Sequence, residues 1–109
     1  MKSVAFIISR QDLSELLEDD VLLPTVKGES NVKTVAFYFV GDGVYHLLKG
    51  SRYAKNLKAI IESKEIAVIA NESSIRNRKL QNVVIDGIKM GVLKDFFNAA
   101  LDANHIITF

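Results

Sequence analysis

Cysteine is absent from this 109-residue chain. That single absence excludes disulfides, thiolate metal sites and a thiol nucleophile of its own. An excess of one charge sign is lacking too. Fourteen Lys and Arg against 13 Asp and Glu leave a formal charge of +1, well short of the basic excess of a dedicated nucleic-acid binder. No run approaches the ~18–20 apolar residues that a membrane span requires. The opening stretch, Met1 to Arg10, has a short apolar run and no small-residue cleavage site, so it does not read as a signal peptide. The expectation is a cytoplasmic protein that engages neither membrane nor nucleic acid. Several catalytic and cofactor motifs are missing as well. There is no P-loop, no Gly-x-Ser-x-Gly elbow, no EF-hand spacing and no His-x-x-x-His pair.

The length fits one domain, residues 1–109. The apolar fraction of 49% is high for so small a chain. A small domain with that much apolar surface buries part of it against copies of itself, which favours a homo-oligomer. Five apolar runs read as strands: Val4–Ile8, Val35–Val40, Ile66–Ala70, a run from Val83 whose strand narrows to Ile88–Met90, and Ile106–Phe109. Continuous apolar runs, without alternation, suit strands covered on both faces of a parallel sheet.

Helical patterns lie between the strands. Asp12 followed by Glu15 forms a capping-box spacing, with Leu13, Leu16 and Leu17 on one face and an end before Pro24. The polar stretch Thr25–Lys33 reads as a loop. Ser51 is placed to cap a helix whose stripe is Tyr53, Leu57, Ile60 and Ile61. A short helix is predicted from Ser73 or Ser74 to about Lys79. A last one is predicted after Gly91, with Val92, Leu93, Phe96, Phe97, Ala100 and Leu101 on one face, one of the two phenyl rings facing the sheet and the other a neighbouring subunit. Strand–helix alternation implies βαβ units with right-handed crossovers.

In open parallel sheets, ligands bind beyond the carboxyl ends of the strands. That rule selects Ser9-Arg10, Gly41-Asp42-Gly43, Asn71 to Ser74, and Met90-Gly91. Gly41-Asp42-Gly43-Val44-Tyr45-His46 begins like a dinucleotide fingerprint, but His46 stands where the third glycine belongs. A Rossmann cofactor site is therefore rejected, and no cofactor or metal is expected. His46 lies near that loop and is the better of the two histidines for a polar ligand contact; His105 reads as structural. Ser73 or Ser74 at a helix start, with Arg76 and Arg78 nearby, is a pattern that favours an anion. An ordinary capped helix with solvated arginines uses the same residues. The acidic group Glu15, Glu18, Asp19 and Asp20 reads as a solvated helix face.

Asn71-Glu72-Ser73-Ser74-Ile75-Arg76 after the third strand resembles the pattern Cys-x-x-Ser/Thr-Leu/Ile-Arg of the DsrE/DsrF-like family of small sulfur-relay proteins. Gly41-Asp42-Gly43-Val44 after strand two and Gly87–Val92 before the last helix add to the resemblance, which covers Thr34–Phe109. It implies a three-layer α/β/α fold on a five-stranded, mostly parallel sheet, a trimer or hexamer, and a sulfur-relay protein partner. It also places Asn71 where relatives carry a persulfide-bearing cysteine. An amide cannot form a persulfide.

The resulting expectation is an accessory protein, binding rather than catalytic. It would take a small anionic or sulfur-containing ligand, or a partner, through Gly41, Asp42, Gly43, His46, Asn71, Ser73, Ser74 and Arg76. Two alternatives stay open: an enzyme using the same pocket without thiol chemistry, and a structural subunit of a hetero-oligomeric sulfur-transfer complex. No paired acid and base is visible, which ranks the enzyme lower.

Overall fold

The computed structural model describes residues 2–12 and 32–109. Five strands form one sheet: β1 (Lys2–Ile8), β2 (Val32–Phe39), β3 (Ala67–Asn71), β4 (Lys89–Gly91) and β5 (His105–Thr108). Their order is β4-β3-β2-β1-β5, and every neighbouring pair is parallel. The five-stranded parallel sheet expected from the sequence is thus present. Between the strands lie a 3-10 segment (Gly41–Leu47), α1 (Ala54–Ser63), α2 (Glu72–Asn77) and α3 (Leu93–Ala99).

The strand order explains the layering. From β1 to β4 each strand is added on the same side of the last. Right-handed crossovers therefore place the described connections from β2 to β4 on one face. The step from β4 to β5 runs back across the sheet, so α3 lies on the opposite face. Two separate cores match this. One holds Phe6, Ile8, Phe37 and Phe39 against Val44 and Leu47 of the 3-10 segment, Leu57 and Ile60 of α1, and Ile75 of α2. The other holds Ala5, Ala36, Tyr38 and Ile69 against Phe96 and Ala100.

Several boundaries differ from the sequence reading. β2 starts at Val32, so Val32 and Lys33 are strand rather than loop; pairing with Lys2 and Ser3 extends it. β4 is Lys89–Gly91 rather than Ile88–Met90, set by pairing with Ile69 to Asn71. Ser51 does not cap α1. Its hydroxyl donates to the His46 carbonyl at 2.7 Å, and Tyr53 stands at the cap position without a side-chain capping bond to the helix. α2 starts at Glu72, one or two residues before the predicted start, because Asn71 supplies the cap. The single apolar face predicted after Gly91 is split. Phe96 and Ala100 are buried, whereas Val92, Leu93, Phe97 and Leu101 are exposed, since one side of so short a helix meets the sheet. The helix predicted from Leu13 towards Pro24, and the loop from Thr25 to residue 31, lie outside the described residues.

Candidate functional site

A parallel sheet brings the carboxyl ends of its strands to one edge. Here the ends of β1, β2 and β3 lie side by side, and the turns leaving them interlock. Gly41 opens the 3-10 segment with φ of +58°, a left-handed conformation in which glycine is the least strained residue. Gly43 presses on the end of β1, where a Cβ would collide with the carbonyl oxygen of Ile8. The two glycines let the chain turn tightly above β1 and deliver its backbone to the end of β3.

Asn71, the last residue of β3, is the centre of the cluster. Its Oδ1 accepts from the Ser74 backbone N–H and from the Ser74 hydroxyl, both at 2.8 Å. That geometry is an asparagine N-cap, worth about 1 kcal/mol relative to alanine. Its Nδ2 donates to the Tyr38 hydroxyl at 2.7 Å. Ser74 Oγ in turn accepts from the Gly41 N–H at 2.9 Å. One amide and one hydroxyl thereby tie β2, β3, α2 and the Gly41 turn together. Asp42 is held from α2's far end, where Arg78 donates to its Oδ1 at 2.9 Å and to the Ser74 carbonyl at 3.3 Å. The same guanidinium lies 5.9 Å from the Tyr45 ring centre.

Of the predicted site residues, the structure therefore gathers Gly41, Asp42, Gly43, Asn71 and Ser74. Ser73 is exposed on the first turn of α2. Arg76 is outside the hydrogen-bonded cluster and pairs with Glu72, one turn earlier, at 3.9 Å. Both side chains are more than half exposed, so the pair is worth little. His46 stands apart. It is 6% exposed, with its ring 5.1 Å from Tyr53 and 6.5 Å from Phe39. Its Nε2 lies 2.7 Å from the Arg10 carbonyl. A carbonyl only accepts, so Nε2 carries the proton and Nδ1 is the acceptor of the neutral ring. Burial pushes the imidazole below its ordinary pKa, opposed in part by that hydrogen bond.

Sequence reasoning missed Tyr38. Nothing in the run Val-Ala-Phe-Tyr-Phe-Val marks it as Asn71's partner, because the contact depends on β2 and β3 being neighbours in the sheet. The Asp42–Arg78 pair was equally invisible, being 36 residues apart in sequence. Among the described residues, no group of three His, Asp or Glu side chains is placed to hold a metal. None of the described helices is long and apolar enough to cross a membrane.

An all-parallel sheet in the order β4-β3-β2-β1-β5, with a strand-end cluster centred on the residue that closes β3, defines a small α/β domain. The sequence signature of the DsrE/DsrF-like family matches residues 2–109, and the chain belongs to that family. The match takes in the N-terminal third, which the motif resemblance from Thr34 onwards did not reach. Among solved structures, the chain is similar to the ychN protein of E. coli, with 20% identity, a TM-score of 0.72 and 100% of each chain covered. It is also similar to MTH1491 of Methanobacterium thermoautotrophicum, a protein of unknown function, with 14% identity, a TM-score of 0.72, and 98% of this chain and 99% of that one covered. At these identities the likeness is one of fold. No curated protein matches the chain.

Proposed function

We propose that this protein is an accessory, non-catalytic member of a family related to sulfur-relay proteins, and that it acts by binding. The observation that carries the reading is the state of Asn71. At the position where the family pattern has its cysteine stands an amide whose oxygen and nitrogen are both engaged by the protein's own groups. A relay residue needs a thiolate free to attack and to be attacked; this side chain offers neither sulfur nor a free nucleophile. The site has become a brace that fixes the shape of the strand-end surface.

That surface presents Ser73, Arg76 and the Gly41–Gly43 turn to a small anionic or sulfur-containing ligand, or to a relay partner. A second copy of the chain covers the apolar residues around α3, giving the homo-oligomer that the composition favours. The exposure of Leu93 and Phe97, four residues apart on α3, and of Leu101 just beyond its end supports this assembly.

Incubation with a persulfide donor followed by intact-mass measurement tests the reading. The wild-type chain is expected to gain no reducible sulfur. Asn71→Cys is expected to gain one sulfur per chain, removable by a thiol reductant. A reducible adduct on the wild type would sink the proposal; an inert thiol at position 71 would show that the position does not match the family's relay site.

A further inference from the structure

Among the described residues, the edge strand β5 pairs with β1 alone. The Phe109 N–H donates to the Ile7 carbonyl at 2.8 Å, and the Ser9 N–H to the Phe109 backbone oxygen at 2.9 Å. Both backbone groups of Phe109 therefore turn towards β1. These directions alternate along a strand, so Ile107 also turns inward, whereas Ile106 and Thr108 present N–H and C=O to the outside. All four residues of β5 are exposed. Ile106 shares the face of Ala5 and Ile107 that of Phe6, and they are 44% and 40% exposed. Edge strands are ordinarily blunted by charge, proline or a bulge. The sequence His-Ile-Ile-Thr has no Lys, Arg, Asp, Glu or Pro, and its register with β1 is unbroken. The opposite edge, β4, is blunted: it has three residues, opens on Lys89 and closes on Gly91.

We propose that β5 is a self-pairing edge: the β5 strands of two copies pair antiparallel about a twofold axis through Ile107, joining two sheets into one. Such an axis, perpendicular to the sheet, keeps each residue on its own face. Only residues an even number apart can then stand opposite each other. With the axis at Ile107, Ile106 of each copy stands opposite Thr108 of the other. Both are hydrogen-bonded pairs, so every outward N–H and C=O of β5 is used. An axis at Ile106 would set Asn104 opposite Thr108, but the Asn104 N–H is already given to the Ser3 carbonyl at 2.7 Å. At the axis the two Ile107 residues meet in a non-hydrogen-bonded pair, with Cα atoms about 4.5 Å apart. Each covers the other's exposed side chain. A second copy is the partner because the strand is its own complement: outward groups at two alternate positions, with an uncharged residue between them. The inference does not rest on the accessory role proposed for the strand ends.

The cysteine-free chain allows a direct test by disulfide trapping. Full-length Ile107→Cys protein is incubated with oxidised glutathione at high concentration, and covalent dimer is followed by intact mass. Two Cα atoms about 4.5 Å apart lie within disulfide range. In this register the two Ile106 positions are about 8 Å apart, beyond that range. Ile107→Cys is therefore expected to cross-link about tenfold faster than Ile106→Cys or than Met90→Cys on the opposite edge. The three positions are similarly exposed. Adding Ile106→Pro removes an outward N–H that β1 does not use, and should slow the Ile107→Cys cross-link to the rate of those controls. The pairing is overturned if Ile107→Cys cross-links no faster than the controls, or if a folded Ile106→Pro variant leaves its rate unchanged. Should the proline variant fail to fold, the comparison among the three cysteine substitutions decides alone. An oligomeric protein whose Ile107→Cys variant stays uncrosslinked overturns this pairing and leaves an assembly through α3 standing.

Discussion

The two faces of the sheet are covered in different ways. The face bearing the 3-10 segment, α1 and α2 presents Phe6, Ile8, Phe37 and Phe39, whose rings stack in series: Phe6 and Phe37 centres are 5.4 Å apart, Phe37 and Phe39 6.2 Å. The opposite face presents Ala5, Ala36 and Ala67 around Tyr38 and Ile69, and α3 supplies one buried ring, Phe96. A helix of seven residues, the length of α3, is only about 10 Å long and 10 Å wide. Five strands span about 19 Å. α3 therefore cannot cover its face. What it leaves open is apolar: Phe97 is 46% and Leu101 78% exposed, and Ile106, beside Ala5 on the edge strand β5, is 44% exposed. The first face buries its stacked rings within the chain and leaves Ile107, beside Phe6 on β5, 40% exposed. The second is built from small side chains and keeps apolar surface outward.

Truncation on the two faces should therefore give opposite kinds of result. Phe37→Ala, at a fully buried ring, should lower stability by about 3–5 kcal/mol, measured by denaturant unfolding. Leu101→Ser should change the stability of the isolated chain by no more than about 0.5 kcal/mol. Its effect should appear in solution mass by light scattering, as loss of a trimer or hexamer. A monomeric wild type, or a Leu101→Ser protein with unchanged mass, would break the comparison.

An intermediate effect is expected where the thinly covered face meets the strand-end cluster. Tyr38→Phe keeps the ring against Phe96, 5.5 Å between centres, but deletes the hydroxyl that accepts from Asn71. The loss should be about 1 kcal/mol, with the Asn71 side-chain amide exchanging faster in NMR spectra. An unchanged amide would mean that Asn71 is held by Ser74 alone.

The smallest effect should come from His46, on the well-covered face. Its folded pKa is lowered by burial from the ordinary 6.5, so the unfolded chain takes up the proton first as pH falls. The stability tied to the neutral ring is complete above 6.5 and is lost progressively below it. Unfolding measured between about pH 7 and pH 5 should show a shallower decline for His46→Gln than for wild type. Equal slopes would mean that the ring gains its proton as easily inside the fold as outside.

Much of the architecture was legible because it rests on local pattern. Unalternating runs such as Ile-Ala-Val-Ile-Ala mark doubly covered strands, and all five strands fell close to the observed ones. Leu57 and Ile60 were placed correctly on the buried side of α1, since helical spacing alone decides that. The cap of α2 was misplaced by local reasoning. Two serines are good caps in isolation, but the turn out of β3 puts the Asn71 side-chain Oδ1 over the Ser74 N–H. Of the two phenyl rings after Gly91, one was expected to face the sheet, and Phe96 does; Val92, Leu93 and Leu101, read on that same face, are exposed. Periodicity identifies a helix's apolar side, and only the width of the sheet beneath sets how much of it is buried.

The sequence by itself determined the fold class, the family and the lack of any thiol of its own, because each depends on residue identity along the chain. Tertiary structure decided the strand order and the union of Asn71 with Tyr38 and of Asp42 with Arg78. Those contacts join residues brought together by parallel pairing and crossover handedness. No local preference encodes them; they exist only once the strands have taken their places.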